Sequence, residues 1–564
     1  MTEANGSLPS ISDADFALTS KGMSGAERTA ALKKLKDYLG YYRDNFLGYQ
    51  VNQDLRSVAA DLPELLKVHS NNIGDPFTDS NLMTHTKPLE RAVLAYYAEL
   101  WGAEPYRNTS ANDPEELETA WGYVLSMGSS EGNVYGLLNA RDYLTGKYLL
   151  ARPHTLPDGS VSGVPKVSLA QAEPPKDNPN AHSPVIFFSH DTHYSVAKAA
   201  HTLNIPSFGE VGNRRYKADA QRVMGTGTWP KEVPSTGGDA GPGTIDVDKL
   251  VKAVDFFGGK GHPVVLVLNL GSTFKGAYDD VEGVLKRLGP VFTEHGMNER
   301  TVEQEDGTTD RRNAYWIHVD GALGANYLPF LRMAQDQKLV AREPRVPAFD
   351  FRLSNPGIHS IVSSGHKYPG SPWPCGVFMT RRKYQLQPPP LPAYVGSPDT
   401  TFAGSRNGFS AAVLWNFFAQ HSYADQVTMV VRCHDTAVRT AEALRKVDEK
   451  LRAHGKEGLD VELSPHSLSV RFRMPAAKYV RKYSLANVAI ATGHDTVKHY
   501  SHLFTMPHVT DALIKELVAD LMREDAFPQE AEYQLEQAHL VTDMSVADAD
   551  LSEVVAVAMD RGFA

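Results

Sequence analysis

Five short apolar runs constrain the architecture more than any other feature: VIFFS (185–189), VVLVLNL (264–270), WIHV (316–319), IVSS (361–364) and CGVFMT (375–380). From about Thr119 onward they alternate with helix-patterned stretches. Continuous β-branched runs of this length suit strands buried on both faces, so an α/β chain with a mostly parallel sheet and helices on either side is expected. Period alone does not separate runs this short from buried helix.

Around this frame, Ala26–Leu47 reads as an amphipathic helix and Leu89–Trp101 as a second, joined by the polar, turn-rich HSNNIGDPFTDSN. Three segments rich in Pro, Gly and charge read as surface insertions without helical or strand period: Pro153–His182, Val211–Gly243 and Asn298–Arg312. After Gly408 long helices (Ala411–His421, Tyr423–Ala453) precede the strand candidates DVELS and LSVRFRM, the pattern of a smaller α+β domain. A chain of 564 residues is expected to form two or three domains. The expected division is an N-terminal helical segment for dimerisation and a substrate-side loop (1–90), a large domain (91–395), a small C-terminal domain (396–530) and a tail (531–564).

Composition excludes several classes. A net charge of −10 argues against nucleic acid as a partner. Two cysteines, Cys375 and Cys433, give no disulfide framework and suit a reducing cytoplasm. The N-terminus lacks the basic and apolar regions of a signal peptide, and no apolar stretch approaches about 18 residues, so no membrane span is expected.

Chemistry concentrates where the runs end. Lys367 lies in SSGHKYPGSPWPCG directly after a strand candidate, where α/β sheets build their sites. There a lysine can be desolvated and used as a free amine, although a strand-end lysine can equally be a surface cation. Asp320, in WIHVDGALG, can hold positive charge on a bound heterocycle or serve as a helix cap. Ser129 and Ser130 open a helix after Gly128, which suits a phosphate cradle or a plain cap. In SHDTHYSVAKAA, His190 and His193 have no third ligand at a recognisable spacing, so no metal is expected. His193 suits a flat contact with a cofactor ring, or an ordinary loop. Ser405, Arg406 and Asn407 in FAGSRNG can present donors to a phosphate or to a neighbouring subunit, or form an ordinary loop.

Taken in order, LGYQVNQDL, HSNNIGDPF, SSEGNVYGLL, HDTHYSVAKAA, LNLGSTFKGAYDD, IHVDGALGANYLPF, SSGHKYPGSPWPCGV, GSRNG and MPHVT resemble the group II pyridoxal-phosphate-dependent amino acid decarboxylases. The nearest branch holds the histidine, serine, valine and methionine decarboxylases. The resemblance implies the fold of aspartate aminotransferase type (fold type I): a mixed, mostly parallel seven-stranded sheet plus a small α+β C-terminal domain. It implies pyridoxal 5'-phosphate as cofactor and decarboxylation of an L-amino acid to the primary amine and carbon dioxide.

Carried over position by position, Lys367 becomes the Schiff-base lysine, with His366 beside it on the phosphate. Asp320 pairs with the pyridine nitrogen, Ala322 packs under the ring and His193 stacks on its other face. Ser129 and Ser130 bind phosphate, and Ser405 does so from the partner of a homodimer. Asn269 lies near the cofactor, Asn72 and Asp75 line the substrate side, and Tyr394 is a candidate proton donor at Cα. Phe409 stands where several relatives carry histidine, so a polar contact there is absent or replaced. The insertions and tail liken the chain to the longer decarboxylases of aliphatic substrates, which favours L-methionine, L-valine or L-leucine. Alternatives on the same fold are a histidine or other polar-substrate decarboxylase, an aldehyde synthase, or an inactive binding relative.

Overall fold

The computed structural model describes residues 8–107, 114–153, 155, 158, 160–161, 166–238, 241–354, 356–386, 394–491 and 497–527. The expected tail at 531–564 lies outside them. The chain divides into two compact units, one of Asp54–Val431 and one that joins the residues up to Gln53 with those from Arg432 onward.

The larger unit is built on six strands: β1 (Ala120–Leu125), β2 (Val185–Phe187), β3 (Val264–Asn269), β4 (Tyr315–Asp320), β5 (Ser360–Ser364) and β6 (Gly376–Arg381). They pair in the order β1-β6-β5-β4-β3-β2. Strands β2 to β5 are parallel, and β6 runs against both of its neighbours. Five strands therefore point the same way. Every residue of β1, β3, β4 and β5 is buried, which explains the apolar runs within them.

Six strands pair among the described residues where seven were expected. Beside the three-residue edge strand β2 stand only single parallel bridges, Ile186 with Ser207 and Ser189 with Val233. Pro206 and Pro234 adjoin these bridges, and a residue without N–H cannot extend a ladder.

The helix Ser129–Leu144, here α1, packs one face of the sheet through Leu137, Ala140 and Leu144. Helix α2 (Tyr194–Thr202) packs beside it through Val196 and Ala199. Side chains alternate along a strand, so Trp316, His318 and Asp320 share the α1 side of β4. On the opposite face the helices Lys87–Leu100 and Gly324–Asp336 meet. There the Tyr97 hydroxyl donates to Asn326 Oδ1 at 2.6 Å and Trp101 Nε1 to the Ala325 carbonyl at 3.0 Å.

All three expected insertions carry regular structure after all. Residues Phe208–Arg215 and Ala220–Met224 are helical, and Trp229 is buried among Phe208, Phe256 and Phe257, an apolar anchor that reading for Pro and Gly overlooks. Asn298–Arg312 is a hairpin pairing Arg300–Glu303 with Thr309–Arg312. Pro153–His182 includes a strand, Lys166–Gln171, paired with Lys147–Arg152.

In the smaller unit, a four-stranded antiparallel sheet includes Ser469–Arg473, Ala486–Ala491 and Val497–Phe504. Leu47 is fully buried and bonded through its backbone to Tyr483 and Phe504. The helix Gly25–Asp44 buries no residue and leaves Leu32 and Leu39 exposed, so its apolar side chains find no core among the described residues.

The GSRNG motif ends in a buried ion pair rather than a plain loop. Arg406 contacts Glu90, and both are almost wholly buried. Glu90 also accepts the Val124 amide at 2.9 Å and Asn72 Nδ2 at 2.9 Å. Removing one partner of such a pair strands the other charge. Arg406→Met should therefore cost about 3–5 kcal/mol in urea unfolding of the apo protein, and R406M/E90Q should recover most of it. A loss below about 1 kcal/mol for R406M would contradict the ion pair's role.

Candidate active site

The strands that share a direction end at one edge of the sheet, and the chemistry-bearing residues collect there. Register aligns Asn269 with Asp320 and Asp320 with Val362, while Leu125, Gly376 and Ser364 lie in line across β1, β6 and β5. This is the carboxyl edge at which open α/β sheets bind ligands.

Lys367 leaves β5 through a π-helical turn, His366–Gly370, closed by the Gly370 amide on the Gly365 carbonyl at 3.0 Å. Such turns are rare and gather at functional sites. The amine is held down to about 8 by burial, against which the Asp320 carboxylate pulls upward. His366 is locked by its ring nitrogen Nδ1, which meets the Cys375 carbonyl at 2.9 Å and the Cys375 amide at 3.2 Å. Gly365, just before the turn, is set by packing. A Cβ there would lie 2.6 Å from Leu414 Cδ2 and 3.0 Å from Cys375 Sγ, so packing demands the glycine.

Asp320 is nearly buried at the end of β4, its oxygens accepting Asn133 Nδ2 at 2.8 Å and the Ala322 amide at 3.1 Å. His193 caps α2 and takes the Ser195 amide on Nδ1 at 3.3 Å, with the Ser195 hydroxyl 2.7 Å away. Burial lowers the His193 pKa; Asp320 opposes that shift, and Lys367 and Lys198 add to it. The Coulombic coupling of Asp320 to both Lys367 and His193 brings these three expected residues into one cluster.

At the start of α1, Gly128 has φ +68° and no side chain to cap the helix, and a Cβ there would sit 2.6 Å from the His366 ring. Ser129 is buried and bonded to Ser364, amide to Oγ at 3.1 Å and Oγ to Oγ at 2.8 Å, while Ser130 is exposed. Glu131 folds the turn by accepting the Ser126 and Met127 amides at 2.8 and 3.0 Å. An open helix N-terminus lined by hydroxyls and a histidine suits a phosphate. With a buried carboxylate for a ring nitrogen and a lowered-pKa amine for an aldehyde, the donor set fits pyridoxal phosphate.

The remaining expected residues are placed differently. Asn269 directs its Nδ2 to Thr192 Oγ1 at 3.0 Å, Ser189 Oγ at 3.3 Å and Asp279 Oδ2 at 3.1 Å, so it fastens the His193 loop to the sheet. Asn72 and Asp75 turn inward. Asn72 accepts the Thr86 amide at 2.7 Å and donates to Glu90, and Asp75 accepts Phe77 N, Trp121 Nε1 and Thr400 Oγ1 at 2.8, 3.3 and 2.5 Å. Their polar atoms are thus engaged within the fold. Ser405 is exposed and accepts Asn71 Nδ2 at 3.1 Å, and Tyr394 is 81% exposed. Phe409 packs with Leu62 and Val413.

Several supporting residues escaped the sequence reading: Asn133, Ser195, His318, Ser364 and the Asp191–Lys275 pair. Lys275 Nζ lies 3.2 Å from Asp191 within the turn that carries His193. A fully buried asparagine inside helix α1 and a histidine between apolar neighbours of β4 are weak but usable signals, because both residue types are out of place there.

Comparison with known proteins agrees with this geometry. No protein-family model matches the chain. L-methionine decarboxylase from Streptomyces sp. 590 superposes with a TM-score of 0.80 at 43% identity, over 91% of this chain and 98% of that one. Histidine decarboxylase of Solanum lycopersicum is 28% identical over 85% of this chain and 84% of its own length. Serine decarboxylase 1 of Oryza sativa subsp. japonica is 27% identical over 86% and 74%. The chain belongs to the group II pyridoxal-phosphate-dependent amino acid decarboxylases, in the branch of the histidine, serine and methionine enzymes.

Proposed function

We propose that this carboxy-lyase acts on a hydrophobic L-amino acid, L-methionine foremost. The observation that carries the choice is the 43% identity to the Streptomyces methionine decarboxylase across 98% of that chain, against 28% and 27% for the histidine and serine enzymes. Pyridoxal phosphate, when bound, supplies an electron sink for the pair left on Cα as carbon dioxide departs.

The chain's own residues do the rest. Lys367 is the amine that carries the cofactor's aldehyde, and its lowered pKa keeps a useful fraction uncharged at neutral pH. Asp320 holds a proton on the pyridine nitrogen. His193 and Ala322 contact the ring, and His193 offers a donor to the substrate carboxylate. Ser129, Ser130 and His366 take the phosphate from this chain, and Ser405 takes it from the partner of a homodimer. Asn269 fixes the loop beneath His193. Tyr394 is the candidate donor of the Cα proton, and Asn72 and Asp75 shape the substrate side through the backbone they hold.

Three features support the dimer: Ser405 is exposed, Tyr394 is exposed, and Leu32 and Leu39 lie uncovered seven residues apart on one helix. Both cysteines are buried free thiols, which suits the reducing cytoplasm. No helix among the described residues is long and apolar enough to cross a membrane.

Incubation with each L-amino acid, recording carbon dioxide and amine, should give 3-methylthiopropylamine from L-methionine, and Lys367→Ala should abolish it while the protein stays folded. Histamine formation with no reaction on methionine, valine or leucine would overturn the substrate choice, and an aldehyde product would overturn the reaction.

Only the free amine attacks an aldehyde, so reconstitution of apo protein with pyridoxal phosphate should accelerate as pH rises and level off above about 8. At pH 7 about a tenth of such an amine is uncharged, against roughly three in ten thousand for an ordinary lysine. A rate still climbing near pH 10 would contradict the shift.

Sedimentation should show a dimer. Mixed dimers of K367A and S405W should regain activity neither variant has, because one site then receives both intact residues. An active monomer would exclude the shared site.

A further inference from the structure

We propose that Asn133 is a positioning residue that joins Asp320 and His193 into one directed hydrogen-bond chain, so that a single buried amide orients both the pyridine-nitrogen anchor and the ring-contacting imidazole. The inference rests on the assignment of Asp320 and His193 to the cofactor given above.

The direction of every bond in the chain follows from its two ends together. The Asp320 carboxylate can only accept, which turns the Asn133 amide nitrogen toward it and the amide oxygen toward His318 Nε2, and the indole at the other end can only donate. Trp316 Nε1 can only donate, and it does so to Ser360 Oγ at 3.0 Å. The Ser360 hydroxyl proton is then directed to His318 Nδ1 at 2.7 Å. His318 is fully buried, and burial holds its pKa down to about 4, so the ring is neutral and carries its one proton on Nε2. That proton goes to Asn133 Oδ1 at 2.9 Å, which fixes which end of the amide is oxygen. The two amide protons are left facing Asp320 Oδ2 at 2.8 Å and Ser195 Oγ at 3.0 Å. Ser195 in turn passes its proton to His193 Nδ1, leaving Nε2–H as the outward donor of His193.

No water competes for these bonds, since Asn133, His318 and Ser360 are all fully buried. The titratable groups facing Asp320 are His193, His318 and Lys367, and of these His318 reaches it through Asn133. Without the Asn133 amide, Asp320 keeps the Ala322 amide as a donor on its other oxygen, and its orientation toward a ring nitrogen is no longer fixed from the α1 side.

The test uses apo protein titrated with pyridoxal phosphate, and pH titration of the visible band of the holoenzyme. Asn133→Ala should weaken cofactor binding on the order of ten- to a hundredfold, the range for losing a bond to a charged group, and should displace the pH midpoint of the band. Asn133→Asp keeps the shape and the His318 acceptor but sets a second carboxyl against Asp320. Its cofactor binding should be weak at pH 8 and, relative to the parent, recover on acidification, which N133A does not do. Should neither variant fold, solid-state ¹⁵N spectra of the histidine-labelled parent holoenzyme decide, with neutral Nε2–H rings expected at both His193 and His318. Variants that fold, bind within twofold of the parent and leave the band's titration unchanged would overturn the proposal, as would an Nδ1–H tautomer at His318. A parent protein that binds no pyridoxal phosphate would instead defeat the cofactor reading on which the inference stands.

Discussion

One carboxylate organises the larger unit. Asp320 ends a strand buried along its whole length, and a charge there is costly without close compensation. The compensation comes from the Ala322 amide, the Asn133 amide and the opposing charge of Lys367, each from a different element. Strand order, the helix that crosses above, and the π-turn after β5 all serve to bring those three to one spot. Asp320 is therefore as much a packing condition as a functional group. A sheet in another order would leave its charge unanswered.

The second layer of residues explains why the cluster is stiff. Asn269 and the Asp191–Lys275 pair hold the His193 turn from below, and Asp279 closes that set by accepting the Asn269 and Ile245 amides at 2.8 Å each. Burial raises the Asp279 carboxyl to about 6 despite these donors. His366 Nδ1 lies within hydrogen-bond distance of the Cys375 backbone, so the turn that carries the lysine is tied to the start of β6 as well as to β5.

Much of the site was legible in the sequence because motifs at strand ends keep their meaning without coordinates. The lysine after IVSS, the aspartate after WIHV and the serines opening a helix fall at one edge as soon as the strands are parallel. What stayed hidden has no period. Asn133 and His318 interrupt apolar stretches singly, and only the pairing of β4 against α1 shows that they meet. Composition misled at Val211–Gly243, where Gly and Pro masked a buried tryptophan. Asn72 and Asp75 stand in a motif whose side chains turn out to brace the fold.

The proline-flanked bridges beside β2 carry a consequence for the protein's life in a crowded solution. An exposed sheet edge is a template on which another chain can add a strand. Here the edge strand is three residues long, and its free groups are met one at a time by segments that cannot form a ladder. Ile186 is served through the Pro206 carbonyl, and Phe188 and His190 through Val233. The segment that reads as a decoration of the surface thus works as a selvedge, a woven margin that keeps a large parallel sheet from unravelling into its neighbours.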